Sequence, residues 1–292
     1  LGTITDGDIR RAILSGANIS DPINDFFSKD PIVLSEKNNN TEAKELLLKN
    51  KISLIPIIDE GKKIVSYVSW DQFNENKNVA NNSLENIHVV IMAGGYGTRM
   101  KPFTDILPKP LVPIHQKPII EHIIDEFTEL GCNNFHLTVN YKAKIMKAYF
   151  EELDINYNIN FVDEKKPLGT AGSLRLLNNK IELPFFVSNC DILVKTNYSK
   201  LYDFHNSGNY DVTLVASTKE YIIPYGTCAL NPDGHLEKID EKPKYNFLIN
   251  TGMYVLNPEI LELIPRNKFF HITHLIQKAK DKGKKIGVYP VS

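Results

Sequence analysis

The sequence predicts an α/β protein in which a doubly wound, mostly parallel sheet follows a smaller α/β domain. From residue 88 onward, short apolar runs alternate with stretches whose apolar residues recur every three or four positions. Strands that alternate with amphipathic helices build a parallel sheet covered by helices. The first run, "VVIM", passes directly into a glycine turn, "AGGYGTR", at the carboxyl end of a strand, where such sheets seat their ligands. The run "NENKNVANNSLEN", Asn74 to Asn86, is polar and rich in asparagine. With little to bury, it reads as a linker between two regions.

In order, the pattern predicts a strand over 88–92, a helix over 118–130, a strand over 135–140, a helix over 142–152, a strand over 158–163, a helix over 170–178 and a strand over 184–189. The helix at 118 places Ile119, Ile120, Ile123, Ile124, Phe127 and Leu130 on one face, and Gly131 stops it. Between the glycine turn and that helix, "KPFTDILPKPLVPI" carries Pro102, Pro108, Pro110 and Pro113. These prolines predict an extended, stiff loop without helix. Ahead of the linker, "PIVL", "LIPIID" and "KIVSYVS" read as strands and "TEAKELLLKN" as a helix. A weak repeat sets "LGTITDGDI" at 1–9 against "IVSYVSWDQF" at 64–73, with Thr5 opposite Ser69 and Asp8 opposite Gln72. The chain opens inside what reads as a strand, "LGTIT", so a preceding segment is expected. The expected domains are 1–75 and 87–292, joined by a linker at 76–86.

The bulk properties narrow the function classes. The 292 residues suffice for two domains, and 42% hydrophobic with 24% charged residues is the make-up of a soluble globular protein. Lys and Arg total 34 against 35 Asp and Glu, for a net charge of −1, so nothing in the charge favours a nucleic-acid or membrane partner. Any phosphate site must therefore be local. The three cysteines, Cys132, Cys190 and Cys228, form no C-x-x-C pair, which fits a reducing cytoplasm better than a disulfide scaffold or a zinc ribbon. No apolar run reaches the roughly 18 residues of a membrane span. The sequence leaves the oligomeric state open, a homo-oligomer included.

The glycine turn permits φ > 0 and lets backbone N–H groups approach a ligand, which suits phosphates. It is not a P-loop, since Arg99 stands where the second glycine would be and no Gly-Lys pair follows. It is not the dinucleotide fingerprint either, because Met100 replaces the third glycine. Arg99 ends the turn and Lys109 lies between two prolines, so two cations can reach one polyphosphate and offset charge that develops in phosphoryl transfer. Asp191 ends the apolar run "PFFVSNC" and would project from the carboxyl edge of the sheet, where a hard carboxylate can bind Mg²⁺. "HITH" sets His271 and His274 at i, i+3 with no third ligand nearby, which predicts a helix surface and not a metal site.

The stretch "AGGYGTRMKPFTDILPKPLVPI" resembles the signature of sugar-1-phosphate nucleotidyltransferases, a G-G-x-G-T-R loop followed by P-K-P. Further landmarks of that family occur in order: "PLGTAGSL" at 167–174, "NCDI" at 189–192, "PYG" at 224–226, "DEKP" at 240–243 and "NTGMYVL" at 250–256. The resemblance covers 87–292 and implies a Rossmann-like sheet and a reaction of NTP with sugar 1-phosphate that gives NDP-sugar and pyrophosphate. By the same resemblance Ala93, Gly94, Gly95, Gly97, Thr98, Gly169 and Thr170 hold the nucleotide. Arg99 would stabilise the pyrophosphate, Lys109 the α-phosphate, Lys242 the sugar phosphate and Asp191 the Mg²⁺. Glu241, Gly226, Asn250 and Thr251 would shape the sugar pocket. With Gly169 on the family's glycine, Glu164 falls where pyrimidine-using relatives commonly carry glutamine. A carboxylate only accepts hydrogen bonds, and guanine offers two adjacent N–H donors, so Glu164 points to GTP.

Two departures from the family pattern stand out. Cys190 replaces a glycine before the aspartate, which narrows the approach, and the second metal-binding carboxylate of the family would fall beyond Ser292. The region before the linker resembles a cystathionine-β-synthase-type (CBS) module pair, its first member present only as a last strand and helix. In that family a T-x-x-D turn binds the phosphate and ribose of an adenine nucleotide, which Thr5 and Asp8 match and Gln72 does not. The same two residues also read as a capping box ahead of "IRRAIL". Nucleotidyl transfer to a non-sugar phosphate and a non-catalytic nucleotide sensor remain alternatives at this stage.

Overall fold

A computed structural model describes residues 2–69, except 19, 24, 25, 30, 36, 37, 39, 51 and 53, together with residues 84–291. Gln72, Ser292 and most of the expected linker lie outside the described residues. The chain forms two compact units: Leu1–Asn76 with Ser217–Ile249 and Pro290–Ser292, and Lys77–Ala216 with Asn250–Tyr289.

The first unit opens with helix α1 (Asp6–Leu14), whose start Thr5 caps. The Thr5 Oγ1 accepts from the Asp8 N–H at 3.2 Å, and the Thr5 N–H donates to Asp8 Oδ2 at 2.9 Å. The capping box is therefore formed, and it satisfies backbone donors that the first turn leaves free. Within the expected strand "LGTIT", described from Gly2, Thr3 makes an isolated antiparallel bridge with Ser28. Strands β1 (Leu34–Ser35), β2 (Leu54–Ile58) and β3 (Ile64–Ser69) form one sheet in that order, parallel then antiparallel. Helix α2 (Asn40–Asn50) sets Ala43 and Leu47 one turn apart, and both are buried with Leu34, Ile55 and Val68 in a small core. The Arg11 Nη2 of α1 lies 2.5 Å from Asp8 Oδ1 and 2.9 Å from Glu220 Oε1 of the same unit.

The second unit is organised by a sheet. Strands β4 (His88–Met92), β7 (Asn134–Val139), β8 (Asn158–Asp163) and β9 (Phe185–Asn189) lie in the spatial order β9-β4-β7-β8, every neighbouring pair parallel. Two short strands, β5 (Pro113–Ile114) and β6 (Lys117–Pro118), form a separate ribbon. Beyond β9 the sheet continues through β13 (Lys244–Leu256), antiparallel to β9, then β10 (Val212–Ile222) and β14 (Ile286–Val291), of which residues 250–256, 212–216 and 286–289 belong to this unit. Strands β11 (Thr227–Leu230) and β12 (Leu236–Asp240) make an antiparallel hairpin in the first unit.

Val89, Val90, Ile91, Phe135, Leu137, Phe185, Phe186 and Val187 are all fully buried, which explains why the central strands read as continuous apolar runs and not as alternations. Helix α4 (Ile119–Thr128) buries the isoleucine face read from the sequence, and Phe127 stacks on Tyr198 at 4.5 Å. Truncating one such side chain, as in Ile120→Ala, costs about 2–5 kcal/mol. Gly131, at φ 92°, terminates this stretch in the left-handed region.

Two expectations are corrected. The proline-rich segment is not helix-free, since it contains 3-10 turns at Thr98–Met100 and Lys109–Leu111 and a short helix, α3 (Phe103–Ile106). Pro102 is the N-cap of α3 and Pro110 sits in the first positions of its turn, where a missing N–H breaks no bond. The helix expected over 170–178 is an α-turn at Gly169–Gly172 followed by a 3-10 turn at Ser173–Leu177. Its Ala171 and Gly172 N–H groups donate to the Phe270 carbonyl, at 2.9 and 3.1 Å. Leu84, inside the run read as linker, is buried, and its N–H donates to the Leu130 carbonyl at 3.0 Å.

Candidate active site

Four loops leave the carboxyl ends of β9, β4, β7 and β8 side by side. Met92, the last residue of β4, pairs with Thr138 of β7 and Asn189 of β9, so the glycine turn emerges between Asn140 and Asp191. The Ala93 N–H donates to the Thr138 carbonyl at 3.0 Å, which fixes the start of the turn to the neighbouring strand.

The three turn glycines differ. A Cβ on Gly94 would lie 2.5 Å from Glu164 Oε1, and one on Gly97, where φ is 65°, would lie 2.7 Å from Thr104 Cγ2 and 3.0 Å from Lys109 Cβ. A Cβ on Gly95 would meet nothing within 4 Å. Gly94 and Gly97 are thus needed for packing, whereas the open side of Gly95 is the approach a phosphate group requires. Thr98 and Arg99 are exposed at the end of the turn.

Lys109 is brought to Asp191, and their side chains form an ion pair in which Lys109 is 16% and Asp191 32% exposed. Pro108 caps the 3-10 turn that carries Lys109, and the buried Pro110 and Leu111 anchor it. The expected narrowing by Cys190 does not arise at the surface, because its thiol is buried. Burial, with Asp191 adding to it, pushes that thiol's pKa up to about 12, so it is no nucleophile.

Glu164 is buried and not solvated beside Lys165 and Lys166. Its Oε2 accepts the Leu168 N–H at 2.9 Å and its carbonyl accepts from Asn140 Nδ2 at 2.7 Å. Burial raises its pKa, against the opposing pull of the Leu168 N–H, which favours the ionised form. The sequence reading missed Asn140, although the signal was the one that found Asp191: a polar residue just past the carboxyl end of an apolar strand.

Gly169 and Thr170 are tied to the chain ahead of the helix Ile272–Asp281. Gly169 has φ 78° and no room for a Cβ, which would lie 2.8 Å from the Phe270 carbonyl. The Thr170 hydroxyl accepts the Ile272 N–H at 3.0 Å. His271 is the N-cap position of that helix and His274 is exposed, and no group of three metal-ligating side chains occurs among the described residues. Asn250 donates to the Tyr254 hydroxyl at 2.8 Å and Thr251 to the Val215 carbonyl at 2.9 Å.

In the first unit, Gly226 and Glu241 are brought together across the β11–β12 hairpin, since a Cβ on Gly226 would lie 3.0 Å from Glu241 Oε2. Lys242 follows at φ 48°, exposed. Thr5 and Asp8, in the same unit, are occupied with each other. Burial raises the Asp8 pKa, but hydrogen bonds from Thr5 and the Arg11 guanidinium outweigh it and hold the carboxyl below its ordinary value.

Among the described residues no helix is long and apolar enough to cross a membrane. The family model for nucleotidyl transferases matches residues 88–289, and that for the CBS domain matches residues 23–73. Among curated proteins, the chain is 37% identical over 184 residues to a mannose-1-phosphate guanyltransferase of Yarrowia lipolytica, covering 60% of this chain and 50% of the relative. It is 37% identical over 185 residues to the Saccharomyces cerevisiae mannose-1-phosphate guanyltransferase, covering 60% and 51%. The chain therefore spans about half the length of the curated relatives it matches. Among solved structures, HddC from Yersinia pseudotuberculosis, complexed with GMP-PN, matches with TM-score 0.55 and 27% identity over 70% of this chain and 90% of that one. A putative glucose-1-phosphate thymidylyltransferase from Bacillus anthracis shares the fold at TM-score 0.55 and 16% identity, covering 70% and 87%. With the strand-end loops, the glycine turn and both family models in agreement, the chain belongs to the nucleotidyl transferase family and carries a CBS-type region ahead of that domain.

Proposed function

We propose that residues 87–292 form a domain that transfers a guanylyl group from GTP to a sugar 1-phosphate, releasing pyrophosphate and a GDP-sugar. The observation that carries this reading is the grouping of an open Gly95, a paired Lys109 and Asp191, and a buried Glu164 at the carboxyl ends of adjacent parallel strands. The curated relatives are guanyltransferases acting on mannose 1-phosphate, which makes that sugar phosphate the first to test.

A phosphate oxygen of the sugar 1-phosphate attacks the α-phosphorus of GTP in line, and the bond from the α-phosphorus to the bridging oxygen breaks. The attacking oxygen is already ionised, so no general base and no covalent enzyme intermediate are needed. Ala93, Gly94, Gly95, Gly97 and Thr98 line the phosphates, and Gly169 and Thr170 shape the turn beside Glu164. Arg99 offsets charge on the leaving pyrophosphate, Lys109 on the α-phosphate and Lys242 on the incoming phosphate. Glu241, Gly226, Asn250 and Thr251 serve the sugar. The ionised Glu164 accepts from guanine N1 and N2, which thymine and uracil cannot supply together.

The residues fit a divalent ion of the magnesium type, which is held by one or two carboxylates and otherwise by substrate phosphates. Asp191 would supply that carboxylate, and the ion would neutralise phosphate charge there. We further propose that Thr5 and Asp8 bind an adenine nucleotide in a CBS-type module over 1–75, joined through 76–86. That would exchange the capping box for ligand contacts, and calorimetry with AMP, ADP and ATP tests it.

The deciding measurement is pyrophosphate release by the chain with Mg²⁺, each of GTP, UTP, dTTP, CTP and ATP, and a panel of sugar 1-phosphates. GTP with mannose 1-phosphate is expected to react fastest. Release with no sugar phosphate would overturn the reaction class, and a UTP or dTTP preference unchanged by Glu164→Gln would overturn the base assignment.

A further inference from the structure

Beside the Gly169–Gly172 turn lies a cavity of about 290 Å³ that none of the proposed chemistry uses. Leu168 and Gly172 line it together with Arg175, Asn178, Arg266 and Asn267. No carboxylate lines it, although the chain as a whole has a net charge of −1. Two guanidinium groups without a counter-charge make the cavity a local anion site.

The two arginines differ in how they are held. Arg175 Nη1 donates to the Leu261 carbonyl at 2.8 Å and to Asn178 Oδ1 at 3.3 Å, which fixes the plane of the guanidinium and leaves its other nitrogens for a ligand. Arg266 is exposed and makes no hydrogen bond or ion pair among the described residues. A pre-set fork beside a free one suits a tetrahedral phosphate dianion.

Size and lining restrict the ligand further. The volume is just below the roughly 300–1,000 Å³ usual for ligand pockets, and no aromatic side chain lines it to offer a base a stacking surface. A nucleotide is therefore disfavoured. The asparagine amides both donate and accept, as hydroxyl groups require.

The wall of the cavity is also the support of Glu164. The Leu168 N–H donates to Glu164 Oε2 at 2.9 Å, the Leu168 carbonyl accepts the Phe270 N–H at 2.8 Å, and Gly172 is bonded to the Phe270 carbonyl. Displacing Leu168 changes the carboxylate of Glu164 with it.

We propose that this cavity binds a small phosphate monoester with hydroxyl groups, and that its occupancy is transmitted through Leu168 to Glu164. The binding stands alone, whereas the effect on nucleotide affinity rests on the role proposed for Glu164. Glycerol 3-phosphate is a suitable probe, being a dianion of the right size and no sugar 1-phosphate. Calorimetry of the full chain is expected to show its binding, weakened at least about tenfold by Arg266→Ala, the loss of one charge-assisted hydrogen bond, and retained in Lys109→Ala. Arg266 is exposed, so its variant is expected to keep the wild-type Tm. Absence of binding, or binding lost in Lys109→Ala and kept in Arg266→Ala, would overturn the site. The probe is also expected to shift the GTP dissociation constant of the wild-type chain and not of Arg266→Ala; binding without that shift would overturn the transmission. Pyrophosphate release without the probe tests the proposed reaction separately.

Discussion

At the carboxyl ends of β9, β4, β7 and β8 the polar side chains hold one another, whereas in the stretch 217–249 the corresponding candidates face solvent. Glu164 is bonded to Leu168 and packed on Gly94, and Lys109 is paired with Asp191. Glu241 and Lys242 are exposed, with Gly226 close to the Glu241 carboxylate. Residues fixed by several elements are held in place before a ligand arrives. Residues on an exposed hairpin acquire theirs on binding and contribute to affinity more than to the chemical step.

The largest effect that could break this contrast is on turnover. Lys109→Ala and Arg99→Ala are each expected to lower kcat by about 10²–10³, as for the loss of one transition-state donor. Arg99 is exposed, so its variant should also keep the wild-type melting temperature. Wild-type turnover in pure Arg99→Ala protein would remove that residue from the chemistry.

Next in size is base choice. Glu164→Gln is expected to reduce the preference for GTP over UTP by about 1–3 kcal/mol, the cost of leaving buried polar groups mismatched. Competition between the two nucleotides for one sugar phosphate measures it.

A smaller effect separates the hairpin from the strand ends. Glu241→Gln is expected to raise the KM for the sugar phosphate by about tenfold, or about 1.4 kcal/mol, with kcat little changed. A fall in kcat with KM unchanged would place Glu241 among the preorganised groups.

The smallest effect is a pH dependence of stability. The pKa of Glu164 is raised above its ordinary value of 4.5 by burial. Its contribution to stability is therefore complete below the unfolded pKa and is lost as pH rises through the folded one. Wild-type protein should lose melting temperature relative to Glu164→Gln over that interval. Its affinity for GTP should rise over the same interval, because the ionised carboxylate is the acceptor. A melting-temperature difference independent of pH would show that Glu164 titrates no differently in the folded chain.

Much of the second unit was legible because its central strands are apolar on both faces and its helix at Ile119 has a clean period. The placement of Arg99 after β4 and of Asp191 after β9 was legible too, since each follows a recognisable apolar strand. What the sequence hid was long-range pairing. The Lys109–Asp191 ion pair joins residues from different loops, and the support of Glu164 by a backbone N–H has no signature in residue type. Arg175 and Arg266 stand in no motif of the sequence, and the fold sets them around one cavity. Likewise His88 and His136 stack with ring nitrogens 2.7 Å apart, and burial, with His88 and Lys180 adding to it, pushes the pKa of His136 down to about 4. That pairing depends on the register of β4 and β7 and on nothing in the local sequence.

The ion pair between Lys109 and Asp191 gives the resting protein a threshold. A cation and an anion that already satisfy each other present little net field to a passing solute. A ligand must supply enough charge to separate them before either is free to bind it. Inorganic phosphate or a nucleoside monophosphate brings less charge to that task than a triphosphate does. On the roles proposed for Lys109 and Asp191, the pair would therefore favour a triphosphate over shorter phosphate chains before the base is inspected.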